Sequence, residues 1–323
     1  IKRFALEHGQ LQIRPSPTAV ALLKVAVIGA GPCGLAAAAE LARSGVEAVL
    51  FEARDEGGGM VSATIPGYRA SPDAVRRDID AITSLGVKVR YGVSVGRDLT
   101  LEELLKGEFS HVVVAIGAQR GLRLGLDGEA TPGILDGLDF LREARRGSPS
   151  GIGRRVAVVG GGDVAMDCAR SARRLTGGRV EILYRRTIDE MPAHPEEIHD
   201  LLAEGITIRE LVAPRRVIAD ENRLRALDCA TMTLGEPDAS GRPRPVESPG
   251  GDVTLDIDTL IVAIGQRADL EIFSGSQVRT TDSGYLVVDP ETLETSIHRV
   301  YAGGDLREPG PSNIVDACGD GQL

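Results

Sequence analysis

Val25-Ala26-Val27-Ile28-Gly29-Ala30-Gly31-Pro32-Cys33-Gly34, running into Leu35-Ala36-Ala37-Ala38-Ala39-Glu40-Leu41-Ala42-Arg43, decides the fold. The apolar run Val25 to Ile28 reads as a buried strand, the glycines as a turn, and the alanine-rich stretch to about Arg43 as a helix. A second strand, Ala48 to Phe51, follows and ends at Glu52. In this G-x-G-x-x-G spacing Gly29 permits the tight turn and Gly31 lets a pyrophosphate approach the backbone. Gly34 lets the helix pack closely on the strand. The helix start, with Pro32 in it, offers unpaired N–H groups and a positive dipole end to phosphates. Glu52, at the tip of the second strand, is placed to accept hydrogen bonds from an adenosine ribose.

The pattern occurs twice. Val156 to Val159 is a second buried strand, Gly160-Gly161-Gly162 a second turn, and Asp163 to about Leu175 a second helix, followed by a strand from Val180 to Leu183. The third glycine is replaced by Ala165, still small enough for close packing. The second strand ends not in an acid but in Tyr184-Arg185-Arg186-Thr187. A carboxylate there would repel a 2′-phosphate, whereas guanidinium groups can grip it through paired hydrogen bonds. Gly160, Gly162, Asp163, Ala165, Arg185 and Arg186 are therefore candidate nucleotide binders, with NADP(H) favoured. NAD(H) stays open as the lesser alternative, in which Arg185 and Arg186 are solvated surface charges whose side chains point away. Two dinucleotide sites on one chain suggest electron transfer between two cofactors, since a simple dehydrogenase needs one such site plus a substrate domain.

Elsewhere the pattern predicts an amphipathic helix over Asp73–Leu85, a strand over Val87–Val93 and a buried strand over Val112–Ile116 ending in Gly117. Beyond the second unit it predicts a helix over Pro195–Glu204, a strand over Thr207–Leu211, and an antiparallel pair formed by Arg225–Leu234 and Val253–Ile257. The intervening Gly235–Gly251 reads as a mobile surface loop from its Gly, Pro, Ser and charge content. Leu260–Ile264 repeats the Ala-Ile-Gly strand ending at Gly265, and Tyr285–Val288 reads as a short strand. Ala115–Gly117 and Ala263–Gly265 are taken as the crossings between domains, where glycine allows close backbone approach.

Bulk composition narrows the function class. A length of 323 residues points to two domains, and 42% hydrophobic with 26% charged residues is ordinary for a globular protein. A net charge of −10, with 3% aromatics and no Trp, argues against nucleic acid or an anionic membrane as partner. The most apolar stretch, Val25 to Ala39, is too short and glycine-rich to span a bilayer, and nothing at the start resembles a signal peptide. Cys33, Cys168, Cys229 and Cys318 form no CxxC pair, and the five histidines show no metal-ligand spacing. No metal site is expected. Scattered cysteines suit a reducing cytoplasm.

Taken together, Gly29–Gly34, Phe51-Glu52-Ala53, Gly58-Gly59-Met60, Ile65-Pro66-Gly67-Tyr68-Arg69, Gly160 to Asp167, Tyr184-Arg185-Arg186, Met191-Pro192-Ala193, Ala263-Ile264-Gly265 and Tyr301 to Asp305 resemble a known family. It is the small subunit of glutamate synthase, with the FAD–NADPH part of dihydropyrimidine dehydrogenase and related electron-input subunits. The likeness runs in order from about Lys24 to Gly321. It implies that Gly29, Gly31, Pro32, Gly34 and Glu52 hold the ADP half of FAD, and that Gly59, Met60 and Arg69 lie along its flavin side. It also implies that Asp305, after Gly304, accepts a hydrogen bond from the ribityl chain. A helix starting near Ser312-Asn313-Ile314 would point its N-terminus at the flavin ring, where hydride uptake places negative charge. Many relatives carry N-terminal cysteines that ligate iron–sulfur clusters. Nothing before Lys24 here contains one, although Ile1-Lys2-Arg3-Phe4 resembles the tail of such a segment.

The expectation is an α/β fold of two Rossmann-like, three-layer dinucleotide-binding domains: an FAD domain over 20–120 and 266–323, an NAD(P)H domain over 121–265, and an N-terminal linker over 1–19. Gly117 and Gly265 join the cofactor-lining set, and no residue is assigned a catalytic role, because the cofactors perform the chemistry. The function expected is hydride transfer from NAD(P)H to FAD, or the reverse, with electrons exchanged with an iron–sulfur protein or a larger catalytic subunit. A self-contained flavin-dependent reductase and a redox-silent nucleotide-binding scaffold are the alternatives.

Overall fold

The computed structural model describes residues 23–147, 149, 151–238, 241–308, 310 and 313–323. The expected linker over 1–19 and the Ile1–Phe4 stretch lie outside them, as does Ser312. The chain forms two compact units, one comprising the chain up to Arg120 together with Arg267–Leu323, the other Gly121–Gln266.

The first unit begins with β1 (Lys24–Ile28), α1 (Pro32–Arg43), β2 (Glu47–Glu52), the short α2 (Met60–Ala63), α3 (Pro72–Thr83), β3 (Lys88–Tyr91), α4 (Leu101–Lys106) and β4 (His111–Val114). The second holds β5 (Ile134–Asp136), α5 (Gly137–Arg145), β6 (Arg155–Val159), α6 (Asp163–Thr176), β7 (Arg179–Leu183), α7 (Pro195–Ala203) and β8 (Thr207–Arg209). It continues with β9 (Val212–Asp220), β10 (Arg223–Pro237), β11 (Pro243–Glu247), β12 (Val253–Asp256) and β13 (Thr259–Val262). The first unit is completed by β14 (Val300–Ala302) and α8 (Ile314–Gln322).

Each unit is built on a five-stranded sheet, β14-β4-β1-β2-β3 in one and β5-β13-β6-β7-β8 in the other. Every pairing in both is parallel. Their central strands are largely apolar because both faces are covered, whereas the edge strands β3 and β8 are polar and exposed. In β6, Val156 and Val158 pack with Ala165, Met166 and Ala169 of α6 and with Phe140 of α5. The alternate residues Ala157 and Val159 pack with Leu224, Leu227 and Leu255 of an antiparallel layer. Strand β1 divides in the same way, Val25 and Val27 facing α1 and α3, Ala26 and Ile28 facing Leu101 and Leu104 of α4. Two-residue periodicity thus sends successive side chains to opposite cores. The architecture is α/β, as the paired glycine turns imply.

The edge strand differs in origin between the units. In the first it is the late strand β14, leading through Gly303-Gly304-Asp305 toward α8; in the second it is the early strand β5, leading directly into α5. Asp136 caps α5 by accepting from the N–H groups of Leu138 at 2.9 Å and Asp139 at 3.0 Å.

Three expectations need correction. Gly235–Gly251 is not simply a loop: β11 pairs antiparallel with the outer half of β10, Met232 opposite Glu247 and Leu234 opposite Pro245. Gly241 lies at the turn between the two strands, and Glu236, Arg244 and Glu247 are exposed along them. Tyr285–Val288 makes only isolated bridges, Leu286 to Thr280 and to Arg307, and Val288 to Thr295. The Ala-Ile-Gly segments begin just past the strands, β4 ending at Val114 and β13 at Val262. Strand β9 and the β5–α5 pair carry patterns too short or too polar to have been read in advance.

Helix α6 is held to α7 by Arg170, buried, whose guanidinium meets Glu197 at 2.7 Å, Glu204 at 2.8 Å and Asp200 at 3.1 Å. Removing the cation takes the shared partner from three carboxylates, of which Glu197 and Glu204 are partly buried and Glu204 keeps Arg174. Arg170→Ala is expected to cost about 3 kcal/mol, the low end for a buried pair because Asp200 is half exposed. Arg170→Met should recover part of that. Urea denaturation of the full chain measures both, and an unchanged midpoint for Arg170→Ala would contradict the assignment.

Candidate nucleotide-binding sites

In the first turn Gly29 has φ +100°, and a Cβ there would fall 2.5 Å from the carbonyl oxygen of Ala115. A Cβ on Gly34 would fall 1.9 Å from the carbonyl oxygen of Gly29. Gly31 differs, because its added Cβ would meet nothing closer than the Cα of Gly59, at 3.9 Å. The outer two glycines are thus filled by protein, while the middle one faces a space, the pattern that a pyrophosphate needs. Gly31 is also the N-cap of α1, and no side chain caps that end, so its first N–H groups are left to a ligand or water.

Glu52 is buried against this turn. One carboxylate oxygen accepts from the N–H of Ala30 at 2.8 Å, the other from that of Arg54 at 2.9 Å. The Gly58–Met60 stretch closes on the same turn, the N–H of Gly58 donating to the carbonyl of Ala30 at 2.7 Å. Arg54 ties two further segments in, donating to the carbonyl of Gly59 at 3.4 Å and to Gln119 at 2.7 Å. Gly117, at φ +61°, precedes Gln119. Met60 heads α2, and Arg69 is exposed, its N–H donating to the carbonyl of Pro66.

Gly304 packs on α1 as well, an added Cβ falling 3.2 Å from that of Cys33. Its N–H donates to Asp320 at 2.8 Å, and Asp320 also accepts from Arg307 at 2.7 Å. Burial, and then the carboxylate of Asp320, push the carboxyl of Asp305 up. Asn313 caps α8 by accepting from the N–H of Asp316 at 3.0 Å, and Ile314 is exposed. Helix α8 meets α1 through its later residues, the thiol of Cys318 lying 3.7 Å from the carbonyl oxygen of Pro32. The structure therefore gathers Gly29, Gly31, Pro32, Gly34, Glu52, Gly59 and Gly304 around one turn. Arg54, Gln119, Arg307 and Asp320 were not singled out from sequence. Arg54 was within reach, two residues after Glu52, whereas Asp320 is legible only once α8 is seen to pack on α1.

The second turn repeats the first. A Cβ on Gly160, at φ +147°, would fall 2.2 Å from the carbonyl oxygen of Ala263, while one on Gly162 would meet only the Pro192 ring, at 3.8 Å. Ala165 is fully buried beneath, and Gly162 caps α6 without side-chain help. The Met191-Pro192-Ala193 loop is bound to this turn: the N–H of Ala193 donates to the carbonyl of Gly161 at 3.1 Å, and that of His194 to Asp163 at 3.3 Å. Arg185 is exposed. Arg186 is buried, donating to Asp238 at 2.8 Å and to the carbonyl of Pro243 at 2.7 Å. Gly265, at φ +131°, follows Ala263 on the neighbouring strand end.

Residues 23–321 match the family model described as pyridine nucleotide-disulphide oxidoreductase. The chain belongs to that family. As a member it is an FAD-dependent NAD(P)H oxidoreductase, and the two open glycine cradles are of the kind that hold the ADP parts of FAD and a nicotinamide dinucleotide. It is 43% identical over 301 residues to the NADP(+)-dependent formate dehydrogenase subunit beta of Moorella thermoacetica, covering 92% of this chain and 42% of that subunit. It is 35% identical to the putative glutamate synthase [NADPH] small chain of Cereibacter sphaeroides, covering 92% of this chain and 74% of the other. The chain thus spans less than half the length of the first of these relatives. In fold it is similar to FprA of Mycobacterium tuberculosis in complex with NADPH, with a TM-score of 0.81 and 18% identity over 96% of this chain and 83% of that one.

The disulphide in the family's name has no counterpart here. All four cysteines are unpaired, and Cys33, Cys168 and Cys229 are buried. Burial, followed by the carboxylate of Asp320, pushes the Cys33 thiol up to about 12; burial raises Cys168 and Cys318 as well. Among the described residues no grouping of His, Cys, Asp and Glu could hold a metal ion, and no helix is long and apolar enough to cross a membrane.

The glycine geometry separates two kinds of damage. Gly31→Val should fold as the unsubstituted chain does yet lose bound flavin, seen as a several-fold drop in the ratio of 450 to 280 nm absorbance. Gly34→Ala should instead lower the melting temperature of the flavin-free protein. Full flavin retention in Gly31→Val would refute the cradle. Because only thiolates alkylate readily, iodoacetamide at pH 8 should leave Cys33 and Cys168 unlabelled in the folded protein, as peptide mass mapping would reveal.

Proposed function

We propose that this chain is an electron-input module that oxidises NADPH through FAD and hands the electrons to an iron–sulfur protein or a larger catalytic subunit, or runs in reverse. The observation that carries this reading is the contrast between two otherwise matching glycine cradles. One is followed by the buried carboxylate of Glu52, the other by Arg185 and Arg186. A carboxylate suits an unphosphorylated ribose, and guanidinium groups suit a 2′-phosphate. The domain assignment follows: FAD in the unit of the outer segments, NADP(H) in the inserted unit.

FAD and NADP(H), when bound, supply hydride transfer and one-electron release, which is chemistry of the cofactors themselves. The chain's residues hold and orient. Gly29, Gly31, Pro32 and Gly34 present the α1 end to the FAD pyrophosphate, and Glu52 holds its ribose. Gly59, Met60, Arg69 and Gly117 lie toward its flavin end, where Gly304 and Asp305 meet the ribityl chain and Asn313 and Ile314 begin the helix aimed at the ring. Gly160, Gly162, Asp163 and Ala165 cradle the second pyrophosphate, with Gly265 beside them. A partner subunit is supported by the names of the relatives, one a "subunit beta" and the other a "small chain". Four free cysteines are in keeping with a cytoplasmic setting.

Anaerobic titration tests the reading. NADPH should bleach the yellow flavin faster than NADH does. Arg185→Ala with Arg186→Ala should weaken NADPH about tenfold or more and leave NADH unchanged. Bleaching by neither nucleotide would overturn the proposal in favour of a silent scaffold, and full turnover without any protein acceptor would favour a self-contained reductase.

A further inference from the structure

The hairpin β10–β11 reaches beyond the rest of its layer. Residues 223–231 of β10 pair with β9 and 226–229 also with β12, but Met232 to Pro237 pair with β11. The tip of this arm lies on the end of β7. Its base is closed by the N–H of Asp238 donating to the carbonyl of Arg242 at 2.8 Å. From one side of the tip Asp238 accepts from Arg186 at 2.8 Å. From the other, Arg242 donates to the Tyr184 hydroxyl at 2.9 Å and to the carbonyl of Glu190.

Tyr184 connects this arm to the glycine turn. It is buried, and its ring is so close to Gly161 that a Cβ there would fall 2.4 Å from it. Its hydroxyl donates to the carbonyl of Glu190 at 2.8 Å. A continuous chain of contacts therefore runs from the phosphate turn through the Tyr184 ring to Arg242, and across the hairpin tip through Asp238 to Arg186.

The two arginines are in different electrical states. The guanidinium of Arg186 is only 6% exposed and is matched by a carboxylate. Leaving it buried without an anion would be costly, and Asp238 supplies one. Arg242 meets two neutral oxygens and makes no ion pair among the described residues. Its own N–H donates to a carboxylate oxygen of Asp238 at 3.4 Å, and it stands half-buried beside Tyr184, where the chain leaves β7.

Building on the NADP(H) reading above, we infer that Asp238 and Arg242 of this hairpin set the preference of the second site for a 2′-phosphate. Arg242 is a further binding residue for that phosphate. Asp238 is its internal competitor, holding Arg186 until a phosphate takes over or shares the pair. Selectivity is then a difference between two ion pairs, that of Arg186 with Asp238 and that of Arg186 and Arg242 with the ligand.

The test uses the flavin-loaded full chain and two fragments that report only the adenosine end, 2′,5′-ADP and 5′-AMP, measured by calorimetry. Arg242→Met should weaken 2′,5′-ADP about tenfold, the effect of one charge-assisted contact, and leave 5′-AMP unchanged. Arg242→Lys should restore part of the loss. Asp238→Asn should act in the opposite direction and tighten 2′,5′-ADP several-fold, a gain that damage to the hairpin would not produce. If the unsubstituted chain prefers 2′,5′-ADP, and Arg242→Met and Asp238→Asn both leave that preference unaltered, the hairpin has no such role while the NADP(H) reading stands. If the unsubstituted chain holds both fragments equally, the NADP(H) reading is overturned and this inference with it.

Discussion

In each unit the glycine turn that begins the nucleotide-facing helix, α1 or α6, is pressed against the carbonyl oxygen of an alanine just past the adjacent strand. Gly29 meets Ala115 and Gly160 meets Ala263, with no room for a side chain between them. The contact is reinforced by the alanine N–H, which donates back to the end of the strand that leads into the turn, to Ile28 of β1 in one unit and Val159 of β6 in the other, at 2.8 Å in both. These bonds fix where the strand stops, and hence where α1 and α6 begin and what their uncapped N-termini face. A binding cradle arises because the next glycine of the spacing, at Gly31 and Gly162, is left open. Everything else in the two sites is arranged around those openings.

What surrounds the openings differs, and the difference is electrostatic. Around the first, Glu52 accepts two backbone N–H groups, so its position is dictated by the main chain. Around the second, Arg186 is positioned by an arm of antiparallel strand that the first unit lacks. One framework thus carries an acceptor set by the turn's own backbone at one site and a donor set by an added hairpin at the other. That division suits a resident cofactor and an exchanging one.

Much of this was legible in the sequence because the decisive constraints are local. Glycine spacing, apolar strand runs and the residue ending each second strand follow from steric and electrostatic needs within some thirty residues. The parts that escaped reading depend on distant partners. Asp320 matters only because α8 lies on α1, bringing its carboxylate to Gly304. The β10–β11 arm looked like a loop because its composition is polar, and an exposed two-stranded ribbon needs no apolar face. Tyr285–Val288 carried strand-like residues, but its neighbours offer only single bridges. Arg185 and Arg186, adjacent in sequence, have different surroundings, one exposed and one buried, as side chains on successive residues of an extended chain must.

The units also differ in where their edge strand comes from, β14 and α8 arriving last in one, β5 and α5 first in the other. The two layouts are circular permutations of one another. Within the outer unit Arg120 forms an ion pair with Asp269, so the residues on which its two segments break off stand side by side. Rejoining them would close a very short loop, at little entropic cost. A framework with that property can accept, lose or exchange an entire nucleotide-binding module without disturbing its own sheet.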